Sequence, residues 1–229
     1  MATRKYPRHL LLLVSILLLF ILSSFVVPLR HGVVILNVVS VAVLLAGVYA
    51  VGERKLFFGI AIVLSILSVV GTSLLLNFPG RWTVLASHAS IFVLLVFFAI
   101  SILGYVLSGS KITSDKIFGA VCVYMLVGYA WAFAYALIDE LQPGSFTASA
   151  EVKGHDYAGR VMQLRYFSFV TLTSVGYGDI VPLLPAARTM AMLEAVTGQL
   201  YLVALVGRLI GLHIVHSTSS QRRDQGGAN

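Results

Sequence analysis

Charged residues are scarce along this chain. They make up 11% of its 229 residues, whereas hydrophobic residues make up 59% and the mean hydropathy is +0.94. Such a composition excludes an ordinary soluble domain and is typical of integral membrane proteins. The formal net charge of +7 is explained by basic residues in the segments that flank the membrane, so we do not expect a nucleic-acid partner.

Cysteine is almost absent too. The one cysteine, Cys122, lies inside an apolar run, so the sequence can build neither an internal disulfide nor a thiolate metal site. We predict that Cys122 is a small buried side chain. The sequence also lacks a metal-ligand cluster, a nucleophile with a nearby base and a phosphate-binding loop. We therefore expect neither an enzyme nor a covalently bound cofactor.

Apolar runs of membrane-spanning length are abundant. About 20 residues of α-helix cross the hydrocarbon core of a membrane. A cleaved signal peptide is the alternative for the first run, but the run is longer than a typical signal core and no small-x-small cleavage site follows it. We predict six spans, at residues 10–27, 33–51, 56–78, 83–107, 117–138 and 186–214.

Polar segments divide the chain into two membrane units. The first is a four-helix domain at residues 10–107, which follows a polar N-terminus at 1–9 and precedes a linker at 108–116. The second unit covers residues 117–214 and contains the longest polar stretch of the chain, 139–163. We expect this polar stretch to lie outside the cell.

One stretch between the last two spans is chemically unusual, namely TLTSVGYGD at residues 171–179. Glycine tolerates positive φ, so Gly176 and Gly178 allow successive carbonyls to turn to the same side of the strand. A row of carbonyl oxygens can replace the water shell of a cation. The alternative is a simple turn between two helices. The predicted ligands are the carbonyls of Ser174, Val175, Gly176 and Tyr177, with the Ser174 hydroxyl innermost and the Val175 and Tyr177 side chains facing outward.

The hexapeptide SVGYGD follows a helix-like run that starts at Arg165 and precedes the residues IVP. In this setting it resembles the selectivity filter of the tetrameric potassium channel family, and the resemblance covers residues 117–214. It implies a passive K⁺-selective channel with a filter at 174–179 that binds K⁺ ions between Ser174 and Gly178. The family's usual residue at position 174 is threonine. Ser174 keeps the oxygen ligand and lacks one methyl group.

The run before the filter, residues 164–174, is too short to cross the membrane and is predicted as a re-entrant pore helix. Non-helical backbone is tolerated at that depth only beside protein or a water-filled cavity. One chain supplies one such loop, whereas a closed tube of carbonyls needs four. We therefore predict an all-α membrane protein with six transmembrane helices, a re-entrant pore helix and a selectivity filter. It is expected to assemble as a homotetramer surrounded by membrane lipid.

Basic residues in the short loops predict the orientation of the chain. The opposite short loops hold only Arg30 and Arg81, so both termini are placed in the cytoplasm, including a polar tail at 215–229 that we expect to be disordered. The compact chain suggests a bacterial inner membrane. The predicted cytoplasmic side carries nine of the 16 basic residues, namely Arg4, Lys5, Arg8, Arg54, Lys55, Lys111, Lys116, Arg222 and Arg223.

The resemblance also implies residues that support the filter. In similar channels an aromatic residue of the pore helix bonds the aspartate after the filter. Tyr166 and Asp179 occupy those positions, and Thr173 directly precedes the filter. Some bacterial members add a glutamate where this chain has Val170, so the support depends more on Tyr166 and Asp179. The alternative for Tyr166 is an aromatic residue of the membrane interface.

The last span carries a candidate hinge and a candidate gate. Gly198 stands where the family's inner helix usually has its hinge glycine, and close helix packing is an equal alternative. By the same resemblance Gln199 faces the cavity, and helical spacing puts Leu202, Val206 and Ile210 below it on one face. An apolar ring there would gate by dewetting, unless the stripe is ordinary packing.

Glu194 is the one acidic residue inside a predicted span, and a carboxylate inside the membrane is costly enough to indicate a function. It lies one turn before Gly198. One interpretation is a bond to the back of the pore helix, at Ser168 or Thr171, that steadies the filter. The other is that its charge concentrates cations near the inner mouth.

Arginine and lysine are absent from the fourth predicted span, residues 83–107. Voltage sensors carry several arginines at helical spacing in this span. We therefore expect weak or no voltage gating, although the six-span layout resembles that of voltage-gated channels. The expected function is a passive K⁺ channel, and the alternative is a non-conducting or weakly selective accessory subunit of a cation transport complex.

Overall fold

The computed structural model describes residues 8–26, 32–52, 55–108, 113–147 and 157–226, and it describes no side chains after Arg208. Most of the predicted N-terminus, part of the linker and much of the predicted outer segment therefore lie outside the described residues. The described residues form seven helices, α1 (Arg8–Val26), α2 (Gly32–Val51), α3 (Lys55–Asn77), α4 (Arg81–Leu107), α5 (Ser114–Leu141), α6 (Tyr157–Leu172) and α7 (Pro185–Gly226).

Four of these helices are long and apolar enough to cross a membrane. They are α3, α4, α5 and the segment Pro185–Arg208 of α7. In α1 and α2 the described apolar stretches are shorter, Arg8–Ser23 and Val38–Val51. The chain is therefore an all-helical membrane protein within its described residues, and the count of six spans stays a prediction.

Several helix ends differ from those expected. The helix α6 covers most of the predicted pore helix 164–174, but it begins at Tyr157 and ends at Leu172. The helix α7 continues to Gly226, through residues for which a disordered tail is predicted. No proline follows Pro185 in the sequence, so nothing in the local backbone chemistry stops α7 where its residues become polar.

The start of α5 is fixed by capping rather than by hydrophobicity. The Thr113 side chain accepts a hydrogen bond from the backbone amide of Lys116, and Asp115 lies in the first turn. A hydroxyl at this position satisfies an amide that has no partner within the helix, and the carboxylate complements the positive end of the helix dipole. The helix therefore begins at Ser114, ahead of the apolar run from residue 117.

Of the first four helices, α1 and α4 pack directly against α5 of the same chain, whereas α2 and α3 pack against each other and against α1 or α4. Their shared core includes Leu12 of α1, Phe98 and Ile102 of α4 and Leu126 of α5, each about 1% exposed or less. Cys122 is buried in the same core, as predicted. This core joins the first unit of the chain to the second.

Small residues bring α3 and α4 close together. A Cβ atom added to Gly71 would lie 3.2 Å from the Cα atom of Ser87 and 3.1 Å from the hydroxyl oxygen of Ser90. Small side chains at a membrane helix contact allow such close approach. The polar hydroxyls are satisfied locally, since Ser90 donates to the Ser87 carbonyl oxygen at 2.8 Å.

Asp115 ties the beginning of α1 to the beginning of α5. One oxygen of its carboxylate lies 2.8 Å from the ring nitrogen Nδ1 of His9, and the other accepts the His9 backbone N–H at 3.0 Å. The Tyr105 hydroxyl at the end of α4 donates to the same carboxylate at 3.0 Å. Three helices thus meet at one acidic side chain.

The helix α6 is held by a second, aromatic core. The rings of Tyr135, Phe146 and Phe167 pack edge to face at centroid distances of 5.2 to 5.3 Å. At its first turn, Arg160 donates to Asp139 at 2.7 Å and also to the carbonyl oxygen of Phe146. These contacts fix the helix between α5 and α7, and therefore the position of the loop that follows it.

Candidate functional site

In the loop after α6, the sign of φ alternates from one residue to the next. Three of its residues have positive φ, namely Ser174 at 58°, Gly176 at 59° and Gly178 at 79°, whereas the two residues between them do not. The two glycines are the residues for which the sequence predicted this conformation. Ser174 was not predicted to adopt it, because a serine gives no sequence signal for positive φ.

The amide groups of this loop point back to the end of α6. The amides of Val175 and Gly176 donate to the carbonyl oxygen of Val170 at 2.9 and 3.3 Å. In a trans peptide the N–H and the preceding C=O point in opposite directions. The carbonyls of Ser174 and Val175 therefore face away from α6, which is the orientation that a row of cation ligands needs.

The side chains of the loop have few neighbours in the single chain. Val175 is 52% exposed and Tyr177 is 72% exposed, so the outward packing expected for them is not provided by their own subunit. Tyr177 stacks on Tyr166 with ring centroids 6.5 Å apart. Thr173 is also exposed, and its hydroxyl donates to the carbonyl oxygen of Phe169 at 2.6 Å.

Tyr166 and Asp179 lie together at the outer end of the loop. Hydrogen bonding to the Asp179 carboxylate raises the pKa of the Tyr166 hydroxyl. The phenol therefore stays protonated and donates at neutral pH, and the bond is lost only as the pH rises through the raised pKa. Val170 lines a cavity of about 250 Å³ beside this pair, in the place where a glutamate would add a further polar contact.

We expect the Tyr166→Phe variant to lose sustained current faster than the wild type. The substitution leaves the ring in place and removes the hydroxyl that Asp179 accepts from. The measurement is the decay of K⁺ current after a concentration jump in planar bilayers. A suitable control is Tyr49→Phe, which removes a hydroxyl from α2, far from the loop in the chain. An unchanged decay rate in Tyr166→Phe would count against the support role.

Glu194 is fully buried between three helices. Its two carboxylate oxygens accept hydrogen bonds from the hydroxyls of Tyr135 on α5 and Ser168 on α6, each at 2.5 Å. Ser168 also lies 2.7 Å from the Gly128 carbonyl oxygen. Of the two interpretations of Glu194, this geometry favours the bond to the back of the pore helix. The sequence did not single out Tyr135, although a tyrosine within an apolar run usually needs a hydrogen-bond partner.

Gly198 marks the closest approach of α7 to the end of α6. A Cβ atom at this position would collide with the carbonyl oxygen of Leu172 and lie 3.0 Å from a methyl carbon of the same residue. One turn further along the same face of α7, the Tyr201 hydroxyl donates to the Ala120 carbonyl oxygen of α5 at 2.6 Å. The helix α7 is therefore held against α6 at Gly198 and against α5 at Tyr201.

Several side chains of α7 after Gly198 are exposed in the single chain. The side-chain amide of Gln199 donates to the Ser174 hydroxyl oxygen at 2.8 Å, a contact that the sequence did not predict. Leu202 and Val206 are 39% and 51% exposed. The side chain of Ile210, the last member of the predicted stripe, lies outside the described part of the chain.

Known proteins resemble part of the chain. A family model described as an ion channel matches residues 146–212, which include α6, the loop and the apolar part of α7. A voltage-gated potassium channel from Aeropyrum pernix is 31% identical over 100 residues, 44% of this chain and 29% of that protein. The inward rectifier potassium channel Kirbac3.1 from Paramagnetospirillum magnetotacticum is 30% identical over 101 residues, 42% of this chain and 29% of that protein.

No solved structure matches the chain. The chain spans about 29% of the length of each of these two relatives. The residues matched by the family model include the loop in which the sign of φ alternates. In part of its length, the chain is therefore similar to ion channels and to potassium channels.

Proposed function

We propose that the protein is a K⁺-selective channel that conducts K⁺ passively through a pore formed by four copies of the chain. The observation that carries this proposal is the alternating sign of φ at residues 174 to 178, together with the amides of Val175 and Gly176 that turn to α6. Carbonyls turned the other way supply the oxygens that a dehydrated K⁺ ion requires. The predicted ion ligands are therefore the carbonyls of Ser174, Val175, Gly176 and Tyr177 and the Ser174 hydroxyl.

The exposure of the loop supports a homotetramer. A single chain contributes one row of carbonyls and leaves Val175 and Tyr177 largely uncovered. Leu200 and Val203 of α7 are likewise 64% and 68% exposed. Packing against neighbouring copies would cover these side chains and close the ring of carbonyls, and fourfold cyclic symmetry is the arrangement that does both.

The end of α6 adds an electrostatic contribution to the proposed pore. This helix ends at Leu172, two residues before the innermost proposed ligand, Ser174. The carboxyl end of a helix carries a partial negative charge that attracts cations. Four such ends around one axis would stabilise a K⁺ ion on the inner side of the filter. The pore helix is accordingly proposed to be re-entrant, entering and leaving the membrane on the outer side.

Six transmembrane spans, with both termini in the cytoplasm of a bacterial cell, complete the proposal. The distribution of basic residues supports this orientation. We further propose that the channel is not gated by voltage, because α4 has no arginine or lysine after Arg81. The two relatives are named for different gating properties, so their shared similarity to this chain does not decide the question.

The test is K⁺ flux into liposomes that contain the purified protein. We expect K⁺ to enter much faster than Na⁺ under matched gradients, because ring carbonyls spaced for K⁺ compensate poorly for the lost hydration of Na⁺. A Gly176→Ala variant is the control. The Cβ of this alanine meets no atom within 4 Å in the chain. Any loss of K⁺ flux in the variant therefore arises from the positive φ of 59°, which is unfavourable for alanine by about 1 to 2 kcal/mol.

The flux experiment also separates the alternatives. Equal entry of K⁺ and Na⁺ would show that a filter with Ser174 does not select between them. An absence of flux would instead favour an accessory subunit of a cation transport complex. That second function is supported only by the chain's membrane character and its partial coverage of the relatives.

A further inference from the structure

We propose that Gln199 is a positioning residue for the innermost K⁺ site, because its side-chain amide holds the hydroxyl of Ser174. This inference rests on the proposed function and identifies a determinant of ion binding within it. The contact joins two parts of the chain that are 25 residues apart, the filter and α7, with the donor nitrogen Nε2 of Gln199 2.8 Å from the Ser174 hydroxyl oxygen.

The contact compensates for the methyl group that serine lacks. A β-branched side chain such as threonine is restricted at χ1, whereas serine turns more freely among its rotamers. Ser174 has no side-chain branch to restrict its hydroxyl, and its φ of 58° is uncommon for a residue other than glycine. A hydrogen bond from Gln199 selects one rotamer and so places the oxygen at a fixed point.

The direction of the hydrogen bond leaves the oxygen usable as a cation ligand. A serine hydroxyl has two acceptor lone pairs and one hydrogen. Gln199 donates to one lone pair, and the other remains for a cation. An amide is suited to this role because it is a neutral donor. A lysine at the same place would hold the hydroxyl but repel K⁺.

The backbone around Gln199 is held in a position from which its side chain reaches Ser174. Gly198 brings α7 against the Leu172 carbonyl at the end of α6, and the Tyr201 hydroxyl fastens the next turn to α5 through Ala120. Gln199 lies between these two fixed points. Its amide therefore reaches the filter from a helix that is held against both α6 and α5.

The test compares Ba²⁺ block of K⁺ flux in liposomes for the full-length wild type and for Gln199→Met. Ba²⁺ is a suitable probe because it is close to K⁺ in size and is held more tightly by the same oxygen ligands. Methionine keeps the length of the side chain and loses the donor. We expect the Ba²⁺ affinity to fall about tenfold, the effect of one lost hydrogen bond near 1.4 kcal/mol. The control Leu193→Met, a volume-conserving change at another position of α7, is expected to match the wild type.

A second substitution tests the mechanism itself. In a Ser174→Ala background, Gln199→Met is expected to change the Ba²⁺ affinity by less than about twofold, because the hydroxyl that Gln199 holds is already absent. Gln199→Asn, whose amide is too short to reach, is expected to behave like Gln199→Met and serves as the second variant if the first does not assemble. An unchanged affinity in both variants, or a loss of the same size in the Ser174→Ala background, would overturn the inference. Absence of K⁺ flux in the wild type would overturn the proposed function and this inference together.

Discussion

Replacing Gly198 with alanine is expected to prevent stable assembly of the proposed tetramer, whereas replacing Gly207 with alanine is expected to leave it intact. A Cβ at position 198 collides with the backbone carbonyl of Leu172, while a Cβ at position 207 meets nothing within 4 Å in the chain. A backbone atom cannot turn aside as a flexible side chain can. We expect a cost of about 3 kcal/mol or more, at the upper end of overpacking effects.

The measurement is the fraction of protein that elutes as the assembled species after heating in detergent, followed by K⁺ flux in liposomes. The Gly207→Ala variant controls for the general effect of alanine on α7. If Gly198 is a hinge rather than a packing position, its alanine variant will assemble normally and show altered opening of the channel. That result would contradict the packing role and restore the hinge interpretation.

The second large effect is expected at Glu194, where alanine should be far more damaging than glutamine. Alanine removes both acceptors, which leaves the buried hydroxyl of Tyr135 and one contact of Ser168 unsatisfied and opens a cavity. Each unsatisfied buried group costs about 1 to 3 kcal/mol, and the cavity adds to this cost. We expect Glu194→Ala to lower the stability of the channel by about 3 to 5 kcal/mol.

Glutamine at the same position satisfies the surrounding groups. The single hydrogen of the Ser168 hydroxyl lies within reach of two acceptors, Gly128 and Glu194. A glutamine amide can donate a hydrogen to Ser168 and accept one from Tyr135. We therefore expect Glu194→Gln to keep its stability within about 1 kcal/mol of the wild type and to conduct normally.

The two Glu194 variants are compared by thermal unfolding in detergent and by single-channel conductance. A conductance that falls sharply in Glu194→Gln while the protein remains folded would show that the negative charge acts on the permeating ions. That result would contradict the positioning role that the buried geometry favours. Equal stability of the alanine and glutamine variants would contradict it as well.

The central features of the site were predictable because their chemistry is local. Gly176 and Gly178 indicate positive φ by their residue type alone, and the structure has both in that conformation. The contacts of Ser174 with Gln199 and of Glu194 with Tyr135 join residues 25 and 59 positions apart. Such pairs are set by how helices pack, which periodicity in one segment does not reveal.

In the fold, too, some features were predictable from the sequence and others were not. Apolar runs predicted the positions of the helices, and four of them are long and apolar enough to cross a membrane. The ends were less predictable, because α5 starts at a capping threonine and α7 passes from apolar to polar sequence without a break. Contacts between copies of the chain depend on surfaces that stay exposed in one subunit, such as Val175 and Tyr177.

The contact of Asp115 with His9 and Tyr105 has a mechanical consequence. Its three polar contacts join the first turns of α1 and α5 to the end of α4, and separating them would cost about 3 kcal/mol at roughly 1 kcal/mol for each. The starts of α1 and α5 are therefore mechanically coupled: a displacement of the first turn of α1 carries the first turn of α5 with it unless these contacts break.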